Sequence, residues 1–326
     1  MAYQRRPQHN RIYRFRSGRS RLLRRIVFVC CAAVLAVCVY KVGDYFNDYR
    51  RSIQQGNELR AAYMEETPVP ATYPPTALPT VAETVSPNVA PLASSTAAAP
   101  STPDPLATLP PLAYPDNPFR NINSRFQKLR RQNSDIVGWV SMGDILSEAV
   151  VQRDNTYYLR RDYLGYHNVN GAVFMDEACS LKSRPYTLTL YAHNMKTGAM
   201  FGSLRNYENI AFYRNDPFIS FDTIYEEGRY VIFSVATIST KAQASNYSGF
   251  YRLPDCTNLE RSAIIQGLRD LSEIRCPVDV RLDDQLLLLV TCVGDETDRR
   301  IVAARRIRDD ENEFDLRNLI QSATKR

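Results

Sequence analysis

The sequence is short of the residues from which metal and phosphate sites are built. It has three histidines, His9, His167 and His193, and no CxxC pair among its seven cysteines, which argues against a zinc site. It contains no glycine-rich phosphate loop, no carboxylate cluster with metal spacing and no internal repeat, so neither a nucleotide cradle nor a repeat array is expected. Acids are missing from residues 1–25, which carry nine arginines, at positions 5, 6, 11, 14, 16, 19, 21, 24 and 25. Taking those nine charges from the formal +6 of the whole chain leaves −3 for the remainder. The rest of the chain is slightly acidic, and that charge distribution excludes a basic nucleic-acid-binding domain.

An apolar segment comes directly after the arginines. Ile26 to Tyr40 is an uninterrupted run of fifteen residues, fewer than the roughly 20 of a spanning helix, but Arg24, Arg25 and Lys41 can snorkel and lengthen it at both ends. A cleaved signal peptide would need a small-residue cleavage site after Tyr40, and the sequence there has none. A lipid-modified Cys38 would want a smaller neighbour than Val37. The expectation is a single-pass signal anchor in the cell membrane, with the arginines keeping the N-terminus cytoplasmic and the remainder extracytoplasmic.

The downstream chain has two compositions. Asp44 to Glu66 is polar and of helical character, and fourteen of the nineteen prolines then fall between Pro68 and Pro118, among Ala, Thr and Ser. Such a stretch buries no core and acts as an extended spacer. The expected organisation is a basic tail (1–25), a transmembrane anchor (26–43), a stalk and linker (44–117), a folded domain (118–310) and a C-terminal tail (311–326). Asn117-Pro118 reads as an N-cap with proline at the first helical position, opening a helix that runs to about Gln132. Strand patterns come next, at 137–141, 148–152, 171–176, 186–193, 229–240, 285–292 and 300–307. Helical segments are expected near Met200–Tyr207 and Asn258–Leu271, the latter with Leu259, Ala263, Ile264, Leu268 and Leu271 on one face. The fold class is mostly β with peripheral helices, as a closed barrel. Cys256 and Cys276 flank the second helix, whose roughly 16 residues would hold them about 24 Å apart, beyond disulfide reach. Free thiols are expected for Cys179, Cys256 and Cys276.

The chemistry gathers at QLLLLVTC, residues 285–292. This strand, apolar on both faces, ends on Thr291-Cys292; after an acidic turn, Arg300 opens the next strand. A hairpin would bring Arg300 back to Cys292 and place a fixed guanidinium beside a thiol. A buried core cysteine near a surface arginine is the plain structural alternative. Of the histidines in the folded domain, His167 lies in the polar turn GYHNVNG, whereas His193 ends the alternating strand YTLTLYAH. His193 also admits a structural reading.

Together these stretches resemble the sortases, membrane-anchored cysteine transpeptidases of Gram-positive cell surfaces. LYAHNMKTGAMFGSL (190–204) is similar to their histidine motif, and LVTC with RRIV to their cysteine and arginine motifs. DIVGWV, VVQRDNTYYL and GAVFMDE are similar to class B segments, so the resemblance spans most of residues 119–307. It implies a catalytic trio of Cys292, His193 and Arg300, and substrate contacts from Asn155, Leu159 and Tyr191, with a further wall from Lys241 to Tyr251. Ala192 stands where a glycine is usual, and Val290 where a small hydroxyl residue often precedes Thr-Cys. The implied reaction cleaves a C-terminal sorting motif after threonine through a thioester, then joins the exported protein to a peptidoglycan amine, with no metal or organic cofactor. Alternatives are a pilin-polymerising enzyme using a lysine amine, and a non-catalytic membrane-tethered binding domain. The presence of all three catalytic residue types argues against the last.

Overall fold

The computed structural model describes residues 17–65, 104–109, 112–239, 256–292 and 298–326. Most of the arginine tail and of the proline-rich linker, the Lys241–Tyr251 loop and the acidic turn from Gly294 to Thr297 lie outside the described residues. The chain divides into two units, Met1–Arg51 and Ser52–Arg326. The division falls inside α1 (Ser17–Glu65), one helix of 49 residues. Between Lys41 and Glu65 there is no proline, and Gly43 and Gly56 each cost only about 1 kcal/mol, so the apolar run and the polar stretch belong to one continuous helix. The helix ends just before Thr67-Pro68, where a proline disfavours helical geometry in its neighbour. Among the described residues it is the one helix long and apolar enough to cross a membrane.

Eight strands form the body of the second unit: β1 (Ile136–Met142), β2 (Leu146–Val151), β3 (Val173–Met175), β4 (Thr187–His193), β5 (Phe218–Thr223), β6 (Arg229–Ser239), β8 (Leu286–Cys292) and β9 (Asp298–Arg306). They close into a barrel in the order β1-β2-β3-β4-β8-β9-β6-β5. The pairs β2–β3 and β4–β8 are parallel and the others antiparallel. A small second sheet pairs β7 (Ile274–Arg275) with β10 (Thr324–Lys325). Leu286 to Val290 are wholly buried, as a continuous apolar run in a central strand should be. The seven strands expected from sequence are all present, and β5, β7 and β10 join them.

The helices depart more from expectation. The first helix of the barrel unit, α2 (Ser124–Gln132), starts seven residues after Asn117, on the N-cap Asn123. Asn117 is instead a turn anchor. Its side chain accepts from the Asn121 amide and donates to the carbonyls of Asn121 (2.8 Å) and Tyr225 (2.9 Å), while Arg120 at φ +54° breaks any helical path. Phe119 is accordingly exposed. α3 (Ile210–Asn215) follows a 3₁₀ helix, Phe201–Glu208. α4 (Asn258–Asp270) opens on a capping box between Thr257 and Glu260. It buries Ile264, Ile265 and Leu268, but Leu259 and Leu271 are exposed. The face is completed by Arg261, fully buried, whose guanidinium is satisfied by the carbonyls of Leu282, Asp284 and Tyr186.

Residues 311–326 are not a loose tail: α5 (Glu313–Ile320) buries Leu316 and Ile320, and Ala323 is buried behind it. At the other end of the unit, the last turns of α1 pack on β1. Leu59 and Tyr63 are buried, and the Tyr63 ring stacks on Trp139 with centroids 4.5 Å apart and planes 8° from parallel. The Tyr63 hydroxyl donates to Asp222 of β5. The part of the stalk nearest the barrel is therefore part of the folded unit.

Candidate active site

The site is assembled by strand register. In the parallel β4–β8 pair, Thr187 faces Leu286 and the register runs without a shift to His193 opposite Cys292. Neighbouring strands lie about 4.8 Å apart, so these two strand ends place the histidine and cysteine backbones side by side. On the other flank of β8, the β9 ladder runs as far as Val290 opposite Ile301. Beyond it the Arg300 amide donates to the Thr291 hydroxyl at 3.0 Å. Three separate segments thus bring His193, Cys292 and Arg300 to one end of the barrel.

His193 is half-buried, and its Nε2 lies 2.6 Å from the Leu159 carbonyl. A carbonyl only accepts, so that contact assigns the proton to Nε2 and leaves Nδ1 as the second protonation site. Leu159, expected as a substrate contact, thereby also orients the histidine through its backbone. The other expected contacts are tied to the same wall. The Asn155 side chain accepts from the Glu177 amide at 3.0 Å, and the Tyr191 hydroxyl donates to Asp176 at 2.7 Å. Behind His193 the loop is tightly closed: Asn194 bridges Met200, and a Cβ on Gly202 would collide with the Met195 carbonyl. The exposed His167 bridges Arg161 in a surface turn and is not drawn into this arrangement.

Arg300 is mostly buried, and its guanidinium Nη2 donates to the carboxylate of Glu208 and, at 3.4 Å, to the hydroxyl of Thr237. Its Nε is buried and meets no acceptor among the described residues. Neither Glu208 nor Asp176 stands out in the sequence. The one clue to Glu208 is its place at the end of the helix that continues the histidine motif.

The remaining thiols of the barrel unit sit in surroundings that disfavour the thiolate. Burial pushes Cys179 up to about 12 and raises Cys256 and Cys276 above the ordinary thiol range. No disulfide joins them, as the helix length between Cys256 and Cys276 required.

No family model matches the chain. A sortase B from Staphylococcus aureus is 29% identical over 191 residues, covering 57% of this chain and 76% of that protein. Among solved structures, a Bacillus anthracis protein described as similar to sortase B is 30% identical, with a TM-score of 0.51 over 57% of this chain and 84% of that one. The sortase B of the same organism in complex with AAEK1 shares the fold at 23% identity, with a TM-score of 0.58 over 81% of this chain and 99% of that chain. The barrel, the register that pairs His193 with Cys292 and these likenesses agree, and the chain belongs to the class B sortases, as a cysteine transpeptidase.

Proposed function

We propose that this transpeptidase cleaves a C-terminal sorting motif after threonine and joins the exported protein to an amine of the peptidoglycan precursor. In this reading the Cys292 thiolate attacks the threonine carbonyl carbon, forming a C–S bond. Arg300 donates hydrogen bonds to the oxyanion, a role suited to a group that remains charged and presents a fork of donors. The tetrahedral intermediate collapses by breaking the C–N bond, and protonated His193 gives its proton to the departing amine. The incoming amine attacks the thioester, passes a proton to His193, and the C–S bond breaks to restore the thiolate.

Asn155, Leu159 and Tyr191 form one wall of the peptide groove in this scheme. The apolar part of α1 is the membrane anchor, with the arginine-rich end cytoplasmic and the barrel outside. The observation that carries the reading is the unshifted β4–β8 register that pairs His193 with Cys292.

The test is to incubate the full chain in detergent with a library of threonine-containing peptides and record intact mass. A mass increase equal to the acyl fragment, absent from Cys292→Ala, supports the reading. Release of that adduct by a wall-peptide amine in preference to a lysine-bearing pilin peptide supports wall anchoring, and the reverse preference would replace it with polymerisation. A folded parent that forms no adduct with any peptide contradicts the proposal.

A further inference from the structure

We infer that Glu208 is a positioning residue for Arg300, a carboxylate that fixes the guanidinium in its working orientation. The inference rests on the catalytic reading of Arg300 given above. An arginine at a strand end has a long, swinging side chain, and an oxyanion donor must be held close to its productive geometry. Here a single nitrogen, Nη2, is held from two directions, by Glu208 and by the Thr237 hydroxyl. Thr237 is the register partner of Arg300 on β6. The buried Nε is left without an acceptor among the described residues, so the clamp restrains the group without using up its donors.

The platform behind Glu208 is rigid. It closes the 3₁₀ helix Phe201–Glu208, in which Phe201, Leu204 and Tyr207 are fully buried, and the Tyr207 hydroxyl is fixed on the Asp216 carbonyl at 2.8 Å. The same helix begins at the close of the loop after His193. One element thus follows directly on the loop after the histidine and holds the arginine at its end. Two exposed partners would gain little from such a pair, but Arg300 is only 15% exposed on its side chain while Glu208 is 55% exposed. The restraint therefore acts on the buried partner.

Because the oxyanion is absent from bound substrate and develops only in the tetrahedral intermediate and its flanking transition states, loss of its positioning lowers kcat and leaves KM nearly unchanged. The experiment measures kcat and KM for the full chain with a quenched fluorescent threonine peptide taken from the library above. Glu208→Gln, Glu208→Asp, Arg300→Lys and the Glu208→Gln/Arg300→Lys double variant are compared with the parent, and melting temperatures confirm folding. The expected result is a fall of about tenfold in kcat for Glu208→Gln, near 1.4 kcal/mol, with KM within about twofold, partial recovery in Glu208→Asp, and no further loss when Glu208→Gln is added to Arg300→Lys. An unchanged kcat in Glu208→Gln, or an equal loss in both backgrounds, overturns the positioning role while leaving that of Arg300 intact. Full activity in Arg300→Lys and in Arg300→Ala would instead overturn the catalytic reading on which the inference rests.

Discussion

The two ends of the β8–β9 hairpin treat arginine differently. At the base, Arg305 is completely buried and Arg308 mostly so, and all three nitrogens of each guanidinium have acceptors. Arg305 is held by Glu311 at 2.6 Å and by the Asp279 carbonyl at 2.7 Å, and Arg308 grips both oxygens of Asp284 at 2.8 and 2.7 Å. The Arg308 bonds hold the Asp279 carboxyl below its ordinary range. At the opposite end, about 20 Å away by the rise of β8, Arg300 has one nitrogen engaged and a buried Nε with no described acceptor. A saturated guanidinium is a structural tie, whereas one with an unspent donor is available to a ligand or an intermediate. With Arg300 as the proposed oxyanion donor, one hairpin separates stability from chemistry along its length.

That division can be broken by mutation. The largest effect on activity should come from His193→Ala, with kcat/KM falling about 10³-fold through loss of the general acid and the melting temperature hardly changed, read by peptide turnover and calorimetry. Arg305→Ala should do the reverse. It leaves Glu311 facing an empty buried site and costs about 3–5 kcal/mol of stability, while the folded fraction, quantified by active-site titration, keeps parental kcat. Tyr63→Ala, which removes the ring stacked on Trp139, should cost about 3 kcal/mol in a denaturant titration, again with kcat retained.

A smaller effect concerns pH. Burial raises the Glu148 carboxyl on β2 to about 7. A folded-state pKa above the unfolded one means that the native form binds the extra proton, so this group's contribution to stability is fully present below about 4.5 and is lost as pH rises through about 7. Glu148→Gln should flatten that decline, gaining about 1 kcal/mol at pH 8 relative to pH 5, measured by urea unfolding at the two values.

The same contrast explains what could be read in the chain. The base and walls of the barrel are written in local pattern. LLLLVTC, YTLTLYAH and RYVIFSVATIS each carry enough β-branched, aromatic or leucine residues to declare a strand, and Thr257 with Glu260 declares a helix start. β5 escaped because FISFDT mixes serine and acid into a six-residue strand directly after Asp216-Pro217. Asn117-Pro118 misled because an asparagine that caps a helix and one that anchors a turn look alike until its partner, the distant Tyr225 carbonyl, is known.

The candidate site is legible only in part. His193, Cys292 and Arg300 stood out through family motifs, but their convergence depends on a parallel pairing of strands far apart in sequence, which no local pattern encodes. Glu208 is less legible still, since its importance lies wholly in what it touches. The face of α4 shows the same limit in the core, where Arg261 takes a place that periodicity assigns to leucine because carbonyls are there to receive it.

The most direct test is Arg300→Ala in the full chain, with kcat/KM for a threonine peptide and the melting temperature measured on the same preparation. The predicted result is a loss of about 10²-fold or more in kcat/KM, as for an oxyanion donor, with the melting temperature within about 2 °C of the parent, equivalent to less than about 1 kcal/mol. A melting temperature many degrees lower, with parental activity per folded molecule, would contradict it and make Arg300 a structural tie like Arg305.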